Sequence, residues 1–259
     1  MRTIHTTSLA LGLVASVTLS FGCSSKKGSG AATDTDAGDQ DETDSGPAPA
    51  GMVKETGKIM NYDTSGHSPV AGAAVKIGDV AGVTDDNGEY ALNVPVETPL
   101  SMVITKEGFT TTYMPEIIGH GDFVRPLILV PTTNTFHLAA SALPTFKKED
   151  AVLYIVVTAI PPCTSIAGGT VKVNKPEGAN LVYFHGALTS LTQTSFEDHF
   201  PAAVLHNVPL DAEIDLTIEH PTCKQVAFPA VVDGVTYTGK VTLHAASEDA
   251  NSSIMVFLQ

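Results

Sequence analysis

The chain has 259 residues, with 14 Lys plus Arg against 28 Asp plus Glu, for a net charge of -14. Charged residues are 16% of the chain, below the roughly 25% of an average domain, and hydrophobic residues are 43%, enough for a real core. The acidic balance excludes a nucleic-acid partner, which needs clustered Lys and Arg against phosphate. With no Trp and 6% aromatics, a sugar-stacking platform would rest on few Tyr and Phe.

The N-terminus is an address. Arg2 supplies a positive start, and residues 8–21 form an uncharged run rich in Leu, Val and Ala. The run is too short to span a bilayer and fits the apolar region of a secretory signal. Gly22 directly precedes the lone Cys23, followed by Ser24 and Ser25. This arrangement resembles a bacterial lipoprotein signal, with Ser20 and Phe21 standing where that family favours Leu and a small residue. The resemblance implies a signal peptide over 1–22 and a lipid on Cys23, so that the membrane is a partner. Ser24 in place of Asp, by resemblance to enteric lipoproteins, points to the outer membrane of a bacterial cell envelope.

Residues 23–51 read as a disordered acidic tether. Gly, Ser, Ala, Thr and Pro surround Asp34, Asp36, Asp39, Asp41, Glu42 and Asp44. Without apolar periodicity, and with like charges repelling, such a segment stays extended and solvated. A calcium site here would need a ligand loop bracketed by Gly, which the run lacks.

From Met52 onward the pattern is all-β. Ala74-Val75-Lys76-Ile77, Tyr90-Ala91-Leu92-Asn93-Val94 and Ser101-Met102-Val103-Ile104-Thr105 read as strands with turn residues between them. No window of 12 or more residues keeps a helical stripe. Asp85-Asp86-Asn87-Gly88 is a hairpin signal, because Asn and Gly both tolerate positive φ.

Four motifs follow in order: Pro69-Val70-Ala71-Gly72-Ala73-Ala74-Val75, Thr84-Asp85-Asp86-Asn87-Gly88-Glu89-Tyr90, Val94-Pro95 and Lys106-Glu107-Gly108-Phe109. Their order and spacing resemble a carboxypeptidase regulatory-like domain. The resemblance implies a transthyretin-like β-sandwich over 52–130. That domain accompanies a catalytic one in metallocarboxypeptidases and carries no zinc itself.

The second half repeats part of the first. Asn93-Val94-Pro95 recurs as Asn207-Val208-Pro209, and at the same offset of 114 Ile104 meets Ile218 and Pro115 meets Pro229. Ala74-Val75-Lys76-Ile77 resembles Thr170-Val171-Lys172-Val173 at an offset of 96. The difference places an insertion around residues 188–203, a short helix or loop containing Ser195, Phe196, Asp198 and His199. Further strands are expected over 151–160, 180–185, 213–219, 239–244 and 254–258. Residues 131–259 thus read as a second, larger β-sandwich, a diverged repeat in a tandem of transthyretin-like or Ig-like sandwiches.

Cys163 and Cys223 lie at strand ends of this second half. Export places them in an oxidising compartment, where pairing is the default. The alternative is a metal held by Cys163, His220 and Cys223, for which a fourth ligand is not evident.

No catalytic residue is assigned. None of the nine His begins a His-x-x-Glu motif, and His-Glu-x-x-His, His-x-His, Gly-x-Ser-x-Gly and a Gly-rich phosphate loop are all missing. No cofactor and no metal site is expected. His185, His199, His206 and His220 all lie in the second half, where the fold could bring them together; His206, alternating with Leu205, reads as solvent-facing or hydrogen-bonded. Asp85, Asp86, Asn87 and Glu89 carry oxygen ligands for calcium, but the hairpin already explains Asn87 and Gly88. Tyr62, Tyr113, Tyr183 and Tyr237 read as core or rim. The functional expectation is a non-catalytic, membrane-anchored module that serves envelope assembly, adhesion or recognition of a partner, with protein or glycan both open. A carbohydrate-binding module and a hydrolase built on the 188–203 insertion are the alternatives.

Overall fold

β1 (Met52–Tyr62) sets the pattern of the structure. Its side chains alternate between half-buried and buried along eleven residues, the period of two that a strand with one core-facing side requires. The computed structural model describes residues 47–62, 67–174, 176–185, 188–190, 193–198 and 202–259. Residues 1–22, read above as a signal peptide, Cys23, most of the segment read as an acidic tether, and His199 lie outside the described residues.

After β1 come β2 (Ala74–Ile77), β3 (Val80–Val83), β4 (Glu89–Pro95), β5 (Leu100–Thr105), β6 (Thr111–Gly119), β7 (Phe123–Val124) and β8 (Ile128–Pro131). Helix α1 (Thr133–Ser141) follows. The second half holds β9 (Ala151–Ala159), β10 (Thr170–Val173), β11 (Asn180–His185), β12 (Leu188–Ser190), β13 (Ala202–Val208) and β14 (Leu216–Glu219). It closes with β15 (Ala230–Val232), β16 (Val235–Tyr237), a 3-10 turn at Ala246–Glu248 and β17 (Ala250–Leu258). The fold is an all-β sandwich, and the described residues form one compact unit.

β1 pairs antiparallel with β4 and parallel with β7 and β8. Across from it β3, β2, β5 and β6 form one flank of a long sheet. Val53, Ile59, Val75, Ile77, Met102 and Ile104 fill the core between them. In the second half β9 takes the place of β1. It pairs antiparallel with β13 and parallel with β17, and β10 with β14 lies opposite. Leu153, Ile155, Val171, Leu205, Ile218 and Val256 fill that core.

The two offsets read from the sequence meet in the ladders. Val75 pairs with Ile104 and Val171 pairs with Ile218. The same correspondence runs from Ala74↔Thr105 and Thr170↔Glu219 to Ile77↔Met102 and Val173↔Leu216. A one-residue slip would turn every side chain to the wrong face, so an identical register in both halves is a strict match.

β17 joins the halves. All nine of its residues are buried. Beyond its seven pairs with β9 it runs parallel to β6 through Ala250↔Thr111 and Ser252↔Tyr113. The long sheet therefore continues from β12 to β3 through β17. β16 also pairs with β6, which carries Ala230, Val235 and Tyr237 into the first core.

Several local expectations need correction. Helix α1 has nine residues, too few for the window that excluded helices. Thr132 caps it, its hydroxyl accepting the Thr135 N–H at 3.1 Å. Segment 239–244 joins no ladder, because Gly239 at φ +80 turns the chain out of line after β16, with Phe228 packed where a Cβ would stand. The strand expected over 213–219 pairs only from Leu216. In the Asp85 hairpin only Gly88 takes positive φ; the Asp85 carboxylate holds the turn by accepting the N–H groups of Asn87 and Glu89 at 2.9 and 2.8 Å.

Candidate functional site

A cleft of about 560 Å³ opens where the two halves meet, within the roughly 300–1,000 Å³ typical of ligand sites. Leu153 of β9 and Ile254 of β17, both from the second core, contribute to its lining. Segments 212–216 and 239–243 line it too, and Ser101 of β5 and Glu116 of β6 reach it from the first half. Among the described residues no aromatic side chain lines it. The Lys240 ammonium lies 3.7 Å from Glu116. Glu213 and Asp215 stand exposed, with no ion-pair partner among the described residues.

Residues 212–215 and 239–243 of the walls lie outside the named strands. The Ala212 N–H closes a turn on the Pro209 carbonyl at 3.0 Å, which carries the chain away from β13. The Asp215 carbonyl accepts from Asn174, the Lys240 carbonyl from the Glu116 N–H, each at 3.0 Å. The Thr242 carbonyl accepts the Ser252 hydroxyl at 2.8 Å. Among the described residues nothing bonds the main chain of Glu213, Ile214, Val241 or Leu243.

A buried ion pair lies in the first core. Glu55 Oε1 accepts from Arg125 Nε at 2.6 Å, with both side chains 1% exposed. Tyr90 donates its hydroxyl to the same oxygen at 3.0 Å. Gly57 makes this possible: a Cβ there would stand 2.6 Å from the Tyr90 hydroxyl. Burial works against the Arg125 charge, but Glu55 and Tyr90 outweigh it and hold the guanidinium pKa above its ordinary value. Burial pushes Tyr90 far up. The two terminal nitrogens of Arg125 have no hydrogen-bond partner.

His120 ties three loops. Its Nδ1 meets Glu97 Oε1 at 2.8 Å and its Nε2 meets Thr236 Oγ1 at 2.7 Å. Carboxylate, imidazole and hydroxyl in that order are the components of an acyl-transfer relay. Here the Glu97 and His120 side chains are 66% and 37% exposed, and water screens such a pair. The contact works as a lash between the turn after β4, the loop after β6 and β16.

Cys163 and Cys223 form a disulfide, with Cα atoms 5.6 Å apart, which removes both thiols as metal ligands. His220 folds over the same loop. Its Nδ1 accepts the N–H groups of Thr222 and Cys223 at 3.2 and 3.0 Å, so Nε2 carries the proton and donates to the Ala167 carbonyl at 3.0 Å. Asp198 accepts from the Ser165 hydroxyl at 2.8 Å and the Ile166 N–H at 2.9 Å. The insertion also puts Phe196 into the core, edge-on to Tyr183 at 5.2 Å. Tyr183 and Tyr237 are buried; the Tyr183 hydroxyl accepts the Val171 N–H at 2.7 Å. Among the described residues no three His, Cys, Asp or Glu side chains group closely enough to hold a metal ion.

His206 overturns its expectation. It is fully buried and neither ring nitrogen has a hydrogen-bond partner. Alternation puts it on the outer face of β13 with Val204, but α1 and the connection after it cover that face with Phe136 and Leu143. Asn207 fastens the cover: it accepts from the Lys147 N–H and donates to the Thr145 carbonyl, each at 2.8 Å. Burial lowers the His206 pKa, and the adjacent Asn207 side chain offsets part of the shift.

Sequence reasoning missed Glu55, Arg125 and the cleft. Glu55 carried a signal: it shares the inward parity of Val53 and Ile59 on β1. Arg125 carried none, because its partner stands 70 residues away. The cleft needed knowledge of which segments leave their ladders.

No helix among the described residues is long and apolar enough to cross a membrane. No protein-family profile matches the chain, and no curated protein matches it in sequence. Solved structures show distant likeness. The Bacillus anthracis TIE protein is 12% identical with a TM-score of 0.24, over 80% of this chain and 34% of that one. This chain thus spans about a third of that protein. GBS52, the minor pilin in Streptococcus agalactiae, is 8% identical at TM-score 0.24, over 80% and 95% of the two chains. Shaft pilin SpaA from Lactobacillus rhamnosus GG is 11% identical at TM-score 0.21, over 80% and 98%. Scores this low carry no inference about function.

Proposed function

We propose that the chain is a non-catalytic binding module of the bacterial cell envelope, tethered to the outer membrane by a lipid on Cys23. In this reading residues 1–22 are removed and residues 23–51 act as a spacer. A carboxypeptidase regulatory-like sandwich over 52–130 and a related sandwich over 131–259 present the binding surface. The matched register of Val75↔Ile104 and Val171↔Ile218 supports the relation between the sandwiches. The Cys163–Cys223 disulfide fits an oxidising compartment.

The observation that carries the binding reading is the cleft between the halves. It combines apolar lining residues, exposed carboxylates and main-chain groups without partners among the described residues, the features of a site that holds something. Its lining among the described residues lacks the aromatic faces on which a glycan stacks, which favours a protein or peptide partner.

Two experiments test the reading. Cys23→Ala should move the protein from the membrane fraction to the soluble fraction, and a variant that stays in the membrane sinks the anchor. Thermal unfolding against peptides, polysaccharides and peptidoglycan fragments should show a saturable shift. A ligand at 100 times its Kd adds about 2.7 kcal/mol. A flat response across the whole panel removes the binding reading.

A further inference from the structure

We propose that the cleft takes an extended, basic peptide segment as an added strand lying along segments 212–216 and 239–243. This deepens the binding-module reading and rests on it. Three observations carry it.

The first is main-chain chemistry. Glu213, Ile214, Val241 and Leu243 have no main-chain partners among the described residues, although both segments alternate between half-buried and exposed positions as strands do. Backbone N–H and C=O groups demand partners, and an extended segment with free groups is a template for another chain. Just beyond, the edge of β14 is already occupied. The Gln225 side-chain amide imitates a strand neighbour, its oxygen accepting the Ile218 N–H at 2.5 Å and its nitrogen donating to the Leu216 carbonyl at 3.5 Å. The open template therefore ends where that amide begins.

The second is the lining. Leu153 and Ile254 belong to the second core and also border the cleft. Over them the half-buried Ile214, Val241 and Leu243 face the cleft, and a peptide lying there would set alternate side chains against these three, the usual source of side-chain selectivity in strand addition.

The third is charge. Among the described residues Glu213 and Asp215 are exposed and have no ion-pair partner, while Lys240 of the cleft lining lies beside Glu116. The whole chain carries -14. A cationic segment is both steered to this rim and held there.

The test uses the purified full chain and three labelled heptapeptides: alternating Val and Lys, alternating Val and Glu, and the Val/Lys peptide N-methylated at two adjacent central residues. Adjacent N-methyl groups remove a donor from each edge of a strand and leave the charge untouched. The Val/Lys peptide should bind saturably. The acidic and N-methylated peptides should each bind at least about tenfold more weakly. Hydrogen exchange should slow at Ile214, Val241 and Leu243, which share the parity of an open edge, when the Val/Lys peptide is present. The double variant Glu213→Lys, Asp215→Lys changes exposed charges only, so its melting temperature should hold while affinity falls at least about tenfold.

Equal binding of the N-methylated peptide, protection at other amides or an unchanged double variant overturns the proposal. If no peptide binds but a polysaccharide or peptidoglycan fragment shifts the melting temperature, the binding module stands and the strand-addition proposal falls. If nothing in either set binds, both fall.

Discussion

Val256 and Phe257 are neighbours in the chain and are buried in different cores. Phe257 lies with Tyr237, ring centroids 4.7 Å apart, in the core of the first half, while Val256 lies in that of the second. Successive side chains of a strand point to opposite faces, so β17 has no solvent face. One strand thereby couples the packing of both halves.

That coupling predicts a single unfolding transition. Phe257→Ala should cost about 3–5 kcal/mol and shift the whole transition. Calorimetry on the folded chain checks it. Two separate transitions, only one of them moved by the substitution, would contradict a shared strand.

The Glu55–Arg125 pair predicts strong dependence between its partners. Arg125→Met leaves a carboxylate buried with only Tyr90 for company, which should cost about 3–5 kcal/mol. Adding Glu55→Gln to that variant should recover part of the loss, because the stranded charge is gone. Urea denaturation of the wild type, both singles and the double closes the cycle. A loss under about 1 kcal/mol for Arg125→Met would mean the pair is not sealed from water.

His206 predicts a loss of stability in acid. Its folded-state pKa lies below the unfolded value of about 6.5, because burial disfavours the imidazolium. As pH falls, the unfolded chain takes up the proton first. The stability is complete above about pH 6.5 and declines below it until the folded-state pKa is passed. His244, lowered by burial as well, acts in the same direction and is common to both proteins compared. His206→Leu should therefore flatten, without abolishing, the fall in melting temperature from neutral to mildly acidic pH. Parallel pH profiles of variant and wild type would show that the ring reaches water.

The Cys163–Cys223 disulfide closes a separation of 60 residues, worth about 4 kcal/mol on the chain-entropy model. Reduction, or Cys163→Ala with Cys223→Ala, should lower the melting temperature markedly. Thiol titration of the denatured, unreduced chain should find neither cysteine reactive. Two reactive thiols beyond Cys23 would show that the bond does not form.

Much of the local structure was legible. Ala74 to Ile77, Thr170 to Val173 and Asn180 to His185 were read as strands and are strands. β-branched side chains are a local signal that all three carry; the first two also alternate, while Asn180 to His185 is a short β-rich run. Segment 239–244 shows the limit. It has the same alternation, yet Gly239 turns it out of line and it joins no ladder. His206 shows another: its parity was readable, but the cover that α1 lays over that face was not.

By itself the sequence determined the β-rich class, many of the strand segments and the two offsets whose registers coincide. It also named the cysteines that pair. Each follows from composition, spacing or a period of two, which act over a few residues. Only the tertiary structure decided that β17 enters between β9 and β6, that Arg125 meets Glu55, that His206 is sealed, and that a cleft opens where two segments leave their ladders. Those outcomes depend on which surfaces meet across 60 residues or more. The chain encodes them only through the summed fit of many side chains, so no single stretch of sequence displays them.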